Sequence, residues 1–249
     1  MKSLSLTLSD VHIQSGELDI NVEGRKTYYV IKEFLEGLIS IVILILICPL
    51  MLLIAIIIKL DSAGPVFFIQ TRVGSQRRVT KEGLRWERKD FKFYKFRTMV
   101  HNADISIHKA YVQALIENNE SKMDEIQQEK TTVRKLIHDP RVTRVGRYLR
   151  KFSLDEFPQF FNVIRGDMSI VGPRPALPYE VDVYKPWQLG RLQAKPGITG
   201  LQQVMARCIT SFDDQVKYDL DYIQRQSLIF DIKLIIQTPL AIIKTKGAH

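Results

Sequence analysis

Nucleotide-binding glycine loops are missing from this chain. Neither G-x-x-x-x-G-K-[ST] nor G-x-G-x-x-G occurs, which removes the P-loop and dinucleotide-binding architectures. Cysteine is scarce: Cys48 and Cys208 are the two present, and Cys48 lies in an apolar run. A disulfide framework is therefore excluded, and a reducing compartment is expected. The five histidines are scattered, and no Cys/His spacing matches a zinc site. Basic residues are not interleaved with stacking aromatics, so nucleic acid is not expected as a partner. Polar residues fill the N-terminal region where the apolar core of a secretory signal would lie.

Charge and one hydrophobic run are what the chain has instead. Its formal net charge is +9 over 249 residues, which points to an anionic partner: a phosphorylated small molecule, an anionic membrane surface or nucleic acid. Residues 37–58 read GLISIVILILICPLMLLIAIII without a charge, and about 20 such residues cross a bilayer. An apolar surface all round exceeds what a core helix needs, so membrane embedding is expected. Pro49 sits near the middle, where it removes a backbone donor and bends or breaks a helix. Cations flank both ends, with Arg25, Lys26 and Lys32 before and Lys59, Arg72, Arg77 and Arg78 after. The positive-inside rule thus favours neither end. A re-entrant helix turning at Cys48-Pro49 satisfies both flanks, and a straight span stays open.

The periodicities predict an α+β fold, mainly helical, with a small β-hairpin, a membrane helix and interfacial amphipathic helices. Three regions follow: 1–30, a β-like appendage with Leu4, Leu6, Leu8 and Leu18, Ile20, Val22 at period two; 31–60, the membrane helix; and 61–249, the catalytic domain. Within the last, 64–74 and 91–98 read as strands separated by the polar stretch 75–90. Lys95 and Arg97, two apart, are expected on one strand face, where paired cations suit a diphosphate; an exposed basic face fits equally. Residues 101–138 read as an exposed helical insertion. Residues 195–200, KPGITG, read as a loop, and 212–222 and 227–246 as helices, the last packed on the core or lying in the membrane interface.

The densest chemistry lies in 139–175, DPRVTRVGRYLRKFSLDEFPQFFNVIRGDMSIVGPRP. Arg141, Arg144, Arg147, Arg150 and Lys151 precede the carboxylates Asp155 and Glu156. Ser153-Leu154-Asp155-Glu156 fits a capping box, which alone would account for Ser153 and Glu156. It would also place Asp155 at the positive end of a helix, which favours an ionised nucleophile or metal ligand. Gly172-Pro173-Arg174-Pro175 holds Arg174 between two fixed φ angles, and its planar fork suits phosphate oxygens. Cations around paired carboxylates define a phosphoryl-transfer site.

Together with KLDSAGPVFFIQTRVG, FYKFRTM and KPGITG, this stretch resembles the bacterial sugar transferases, the monotopic polyprenyl-phosphate phosphoglycosyl transferases, over roughly residues 33–244. The resemblance implies a re-entrant helix in the cytoplasmic leaflet of the bacterial inner membrane, with the active site at that face. It implies transfer of a sugar 1-phosphate from a UDP-sugar to polyprenyl phosphate, releasing UMP, at the start of capsule, O-antigen, exopolysaccharide or glycoprotein glycan assembly. The catalytic pair would be Asp155, the nucleophile, and Glu156, with Mg²⁺ at Asp155. Substrate phosphates would meet Lys95, Arg97, Arg147, Arg150, Arg174 and Lys195. The chain departs from the family at Cys48-Pro49, where Ser-Pro is common, and at LQQVMAR (201–207), where a tryptophan and a Gly-Arg pair are common. The partners implied are UDP-sugar, polyprenyl phosphate and membrane lipid, with a homo-oligomer left open. A basic membrane-associated scaffold without catalysis, and a phosphotransferase without a covalent intermediate, are the alternatives.

Overall fold

A computed structural model describes residues 25–80, 83–128, 139–205 and 210–244; the appendage expected in 1–30 falls almost wholly outside these. The fold is α+β and mainly helical, as the periodicities predict. Helix α1 (Lys26–Asp61) is unbroken for 36 residues, with Pro49 inside it, a length of about 54 Å if straight. It ends at Ser62, whose backbone is extended, just before Gly64 at φ 122° and Pro65, neither of which continues a helix. Among the described residues it is the one helix long and apolar enough to cross a membrane.

Side-chain burial divides α1 into two anchors and an exposed middle. Tyr29, Lys32, Glu36 and Ser40 are buried near its start and Ile54 and Ile58 near its end, whereas Ile45, Leu46, Leu52 and Leu53 are exposed. The first anchor is ionic. Lys32 Nζ lies 2.8 Å from both Glu36 Oε1 and Asp231 Oδ2. The remaining carboxylate oxygens are satisfied: Ser169 donates to Glu36 Oε2 at 2.6 Å, and the Tyr222 hydroxyl to Asp231 Oδ1 at 2.8 Å. Burying one cation with two carboxylates is tolerable only because these donors complete the network.

The second anchor caps the far end. Arg97 donates to the carbonyls of Ala63 and Ser62, each at 2.6 Å, occupying acceptors a helix C-terminus leaves free. Asp61 accepts the Val145 N–H at the start of α4. Both ends of an apolar helix are thus fixed to one domain.

The basic stretch between the two expected strands is itself strand. β1 (Phe67–Thr80) and β2 (Gly83–Phe96) pair antiparallel along their full length, Phe67 opposite Phe96 and Thr80 opposite Gly83. Pairing along the ladder extends both strands into this polar segment. Helices α2 (Ser106–Ile116) and α3 (Glu120–Gln127) occupy the expected insertion, but they are not merely exposed: Tyr111, Val112, Ala114, Ile116 and Met123 are buried.

The rest of the chain builds the floor. α4 (Arg144–Lys151) begins at Thr143, whose side chain accepts the Gly146 N–H. A three-residue 3₁₀ turn (Leu154–Glu156) and α5 (Gln159–Ile164) follow. Asn162, fully buried, bonds the edge of β2 as a strand would, accepting from Tyr94 N–H and donating to the Lys92 carbonyl.

β3 (Ser169–Val171) pairs in parallel with β4 (Gly197–Thr199), so the center of KPGITG is a strand rather than a loop. Gly172 and Gly197 make this possible. The Gly172 N–H reaches the Thr199 carbonyl and the Gly197 N–H reaches the Pro173 carbonyl, each at 2.8 Å, and a Cβ on Gly197 would fall 2.1 Å from the Gly172 nitrogen. The GPRP and KPGITG motifs therefore interlock backbone to backbone.

After α6 (Pro178–Val181), a 3₁₀ segment (Pro186–Leu192) and α7 (Leu201–Met205) come α8 (Phe212–Arg225) and α9 (Leu228–Lys244). α9 packs Leu234 and Asp231 inward and leaves Ile229, Ile232, Ile236 and Leu240 exposed, which fits a helix covered on one side.

Removing Lys32 leaves two buried carboxylates uncompensated, which costs about 3–5 kcal/mol. Lys32→Met should lower the unfolding midpoint of the detergent-solubilised protein accordingly. Lys89→Met, at an exposed ion pair with Asp167, should change stability by less than about 1 kcal/mol.

Candidate active site

A cavity of about 420 Å³ opens between the hairpin, the α4–α5 connection, α2 and the C-terminal helices. Lys95, Arg150, Asp155, Glu156 and Arg174 line it, so five of the eight residues expected at the site come together. They arrive from four places: β2, the end of α4, the 3₁₀ turn and the GPRP loop.

Asp155 is nearly buried, at 7% exposure. The turn carrying it is held from below by Leu154 and Phe157, which pack on Ile54, Ile58, Phe96 and Leu149. The expected capping box does not form. Ser153 takes the left-handed conformation, φ 55°, and makes no side-chain cap to the three-residue turn that follows. With one 3₁₀ turn there is no macrodipole worth the name. The positive potential at Asp155 comes from side chains instead, since Lys95 and Arg150 both lie in its field.

Lys95 shows how strong that environment is. Burial lowers its ammonium to about 8; Arg150, Arg72 and Arg174 push the same way, and Asp155 opposes them. Burial likewise lowers Arg150, with Asp155 opposing. Half-buried Arg72, Lys95 and Arg150, with Arg174 exposed beside them, repel one another around a carboxylate, which favours a polyanion.

Three expected residues stand elsewhere. Arg97 does not line the cavity: just past the end of β2, it is buried and its guanidinium caps α1. Arg147 is exposed on α4 and does not line the cavity. Lys195 pairs with Glu33 of α1 at 3.1 Å. Cys48 is exposed and Pro49 lies within α1, away from the cavity.

Other residues enter that spacing along the chain did not reveal. Arg72 lines the cavity and shares a hairpin face with Lys95, because Phe68 pairs with Lys95 and Arg72 with Phe91. Its guanidinium stacks 5.3 Å from the center of Phe93 and donates to the Pro175 carbonyl. Burial brings it to about 10, opposed by Glu180. Arg191, neutralised by Asp219 at 2.6 Å, reaches the Arg174 carbonyl at 3.4 Å and steadies the GPRP loop. Glu180 accepts the Leu177 N–H, and His108 and Asp139 complete the polar lining named here.

As a metal site the cavity is partial. Among the described residues no group of three His, Cys, Asp or Glu could enclose an ion. Asp155 and Glu156 do provide hard oxygen donors, which suits Mg²⁺: it keeps waters and takes one or two carboxylates together with substrate phosphates.

An apolar helix left bare, fixed at both ends to a domain with a cation-walled cavity, defines a membrane-associated protein built for anionic ligands. The chain belongs to the bacterial sugar transferase family, whose sequence model matches residues 27–245. It is 37% identical over 218 residues to the exopolysaccharide production protein ExoY of Sinorhizobium fredii, covering 88% of each chain. It is 36% identical to the undecaprenyl-phosphate galactose phosphotransferase of Salmonella typhimurium, over 92% of this chain and 44% of that one. With the UDP-glucose:undecaprenyl-phosphate glucose-1-phosphate transferase of Xanthomonas campestris pv. campestris it shares 34% identity, over 96% and 43%. The latter two relatives are about twice its length.

Lys95 is a cation below about pH 8 and neutral above it. Affinity for a diphosphate such as UDP should therefore fall as pH rises through about 8. In Lys95→Arg that fall should move above about pH 9, because a guanidinium stays protonated there. Calorimetric titration across this range checks it, and an unchanged profile would mean that another group titrates.

Proposed function

We propose that the chain transfers a sugar 1-phosphate from a UDP-sugar to polyprenyl phosphate, releasing UMP, as the first membrane step of surface polysaccharide or glycoconjugate synthesis. What carries the proposal is Asp155, nearly buried at the center of a cationic cavity. Two relatives named as undecaprenyl-phosphate sugar transferases support the choice of acceptor.

The chemistry follows from the charges. An oxygen of Asp155 attacks the sugar-proximal phosphorus, the bond from that phosphorus to the bridging oxygen breaks, and UMP leaves with the electron pair. The phospho-sugar then rests on Asp155 until a phosphate oxygen of the polyprenyl phosphate attacks the same phosphorus and returns the carboxylate. Neither half needs a strong acid, since phosphate is a competent leaving group and nucleophile. What both need is relief from charge repulsion between carboxylate and diphosphate. Lys95, Arg150, Arg174 and Arg72 provide it from fixed positions, so little reorganisation is required during reaction. Asp155 and Glu156 would hold Mg²⁺, which when bound neutralises part of the diphosphate charge. Glu156 also stands next to Asp155 to orient the incoming phosphate.

The acceptor fixes the setting. A polyprenyl chain stays in the bilayer, so the cavity must sit at its surface. Both ends of α1 are bonded to the same domain, through Lys32 and through Arg97, and this supports a re-entrant helix that returns to the cytoplasmic face of the inner membrane. A straight span would draw its two ends about 30 Å apart across the hydrocarbon.

UMP release from UDP-sugars in the presence of polyprenyl phosphate and Mg²⁺ tests the activity. Asp155→Asn should reduce it by about three orders of magnitude or more; release at the wild-type rate would refute the nucleophile. For topology, cysteines placed at Lys26 and Lys59 in a Cys48→Ser, Cys208→Ser background should both label from the cytoplasmic side. Periplasmic labelling of one of them would show a span.

A further inference from the structure

α2 also lines the cavity, contributing His108, Tyr111, Val112 and Leu115. Its polar groups there are His108 and the Tyr111 hydroxyl, which accepts from Gln127. The His108 Nδ1 lies 3.0 Å from the Tyr179 hydroxyl of α6, and no other hydrogen bond of His108 occurs among the described residues. Nδ1 is thus engaged by Tyr179, and Nε2 has no partner among the described residues.

We infer that His108, oriented by Tyr179, hydrogen-bonds a hydroxyl of the sugar being transferred and so takes part in choosing which UDP-sugar is used. The inference rests on the transferase reading above and deepens it. A guanidinium or ammonium attracts any phosphate oxygen, so the cationic wall can hold the diphosphate of every UDP-sugar alike. Epimers differ in the direction of one hydroxyl, and telling them apart requires a donor or acceptor fixed in one place. His108 has the properties for this. Burial, with Arg141 and Arg72, lowers its imidazole to about 4, Asp139 opposing, so it is neutral at physiological pH and does not add to phosphate attraction. The Tyr179 hydroxyl keeps its proton, since burial and Glu180 push it up to about 12, and when it donates to Nδ1 the ring proton stands on Nε2. The field of Lys95 and Arg72 reaches His108, which places it close to the phosphates that a sugar would adjoin. It is a specificity-determining residue in this account, distinct from the groups that carry the chemistry.

The test is a mutant cycle read on substrate preference. kcat/KM for UMP release is measured for the best UDP-hexose, its epimers and its monodeoxy analogues, with wild type, His108→Phe and Tyr179→Phe; UDP inhibition is measured in parallel. For one deoxy position the wild type should lose about ten-fold, as for a hydrogen bond in a polar site, and His108→Phe should lose nothing further there. Tyr179→Phe, which removes a single hydroxyl, should weaken the same discrimination while the fold persists. UDP inhibition should stay within about two-fold, since the diphosphate contacts remain. Equal losses on UDP and on every sugar, or unaltered preference among the sugars in both variants, would overturn the inference while leaving the transferase reading standing. Absence of UMP release from every UDP-sugar by the wild type would overturn the transferase reading and the inference with it.

Discussion

Like charges gathered around one nearly buried carboxylate are the constraint on which this molecule turns. Arg72, Lys95, Arg150 and Arg174 share one cavity with Asp155, Glu156 and Glu180. Burial holds the Lys95 ammonium below its usual range, Asp155 opposes it, and Arg150, Arg72 and Arg174 add repulsion. Folding must offset that repulsion elsewhere, and it does so with backbone geometry. β1 and β2 fix Arg72 and Lys95 on one face, while the interlocked glycines Gly172 and Gly197 hold the loop that presents Arg174.

The apolar helix answers a second demand, position. Its exposed middle requires lipid, yet its two ends are secured to the domain by opposite means, a buried ionic network at Lys32 and the Arg97 cap at the C-terminus. The second anchor is contiguous with the site, because Ile54 and Ile58 pack on the same cluster as Leu154 and Phe157, on either side of Asp155. Movement of the helix end would thus be felt at the turn that carries the carboxylate. In the function proposed, this keeps the reacting carboxylate at a fixed height above the hydrocarbon.

Much of this was legible in the sequence, for reasons that are local. An uncharged run reports its preference for lipid without knowledge of its neighbours, and a Gly-Pro-Arg-Pro turn holds its arginine wherever it is placed. Partnership across the chain was not legible. Arg97 looked equivalent to Lys95 because the carbonyls it caps, at Ala63 and Ser62, lie 34 and 35 positions away. Lys195 looked free because Glu33, its partner, is 162 positions away. Arg141 through Arg150 read as one run of cations ahead of the carboxylates, but the helix starts at Arg144 and Arg141 pairs with Asp139. Ser153 had the right residues around it for a capping box, yet the left-handed turn that aims Asp155 into the cavity excluded one. His108 and Arg72 needed the third dimension altogether.

The account stands or falls on a covalent bond to Asp155. Purified protein incubated with Mg²⁺ and a UDP-sugar, without polyprenyl phosphate, should gain the mass of one sugar phosphate, and peptide fragmentation should place it on Asp155. Addition of polyprenyl phosphate should remove it. UMP release that requires the acceptor from the first turnover, with no added mass on the protein, would contradict the account and assign direct transfer instead.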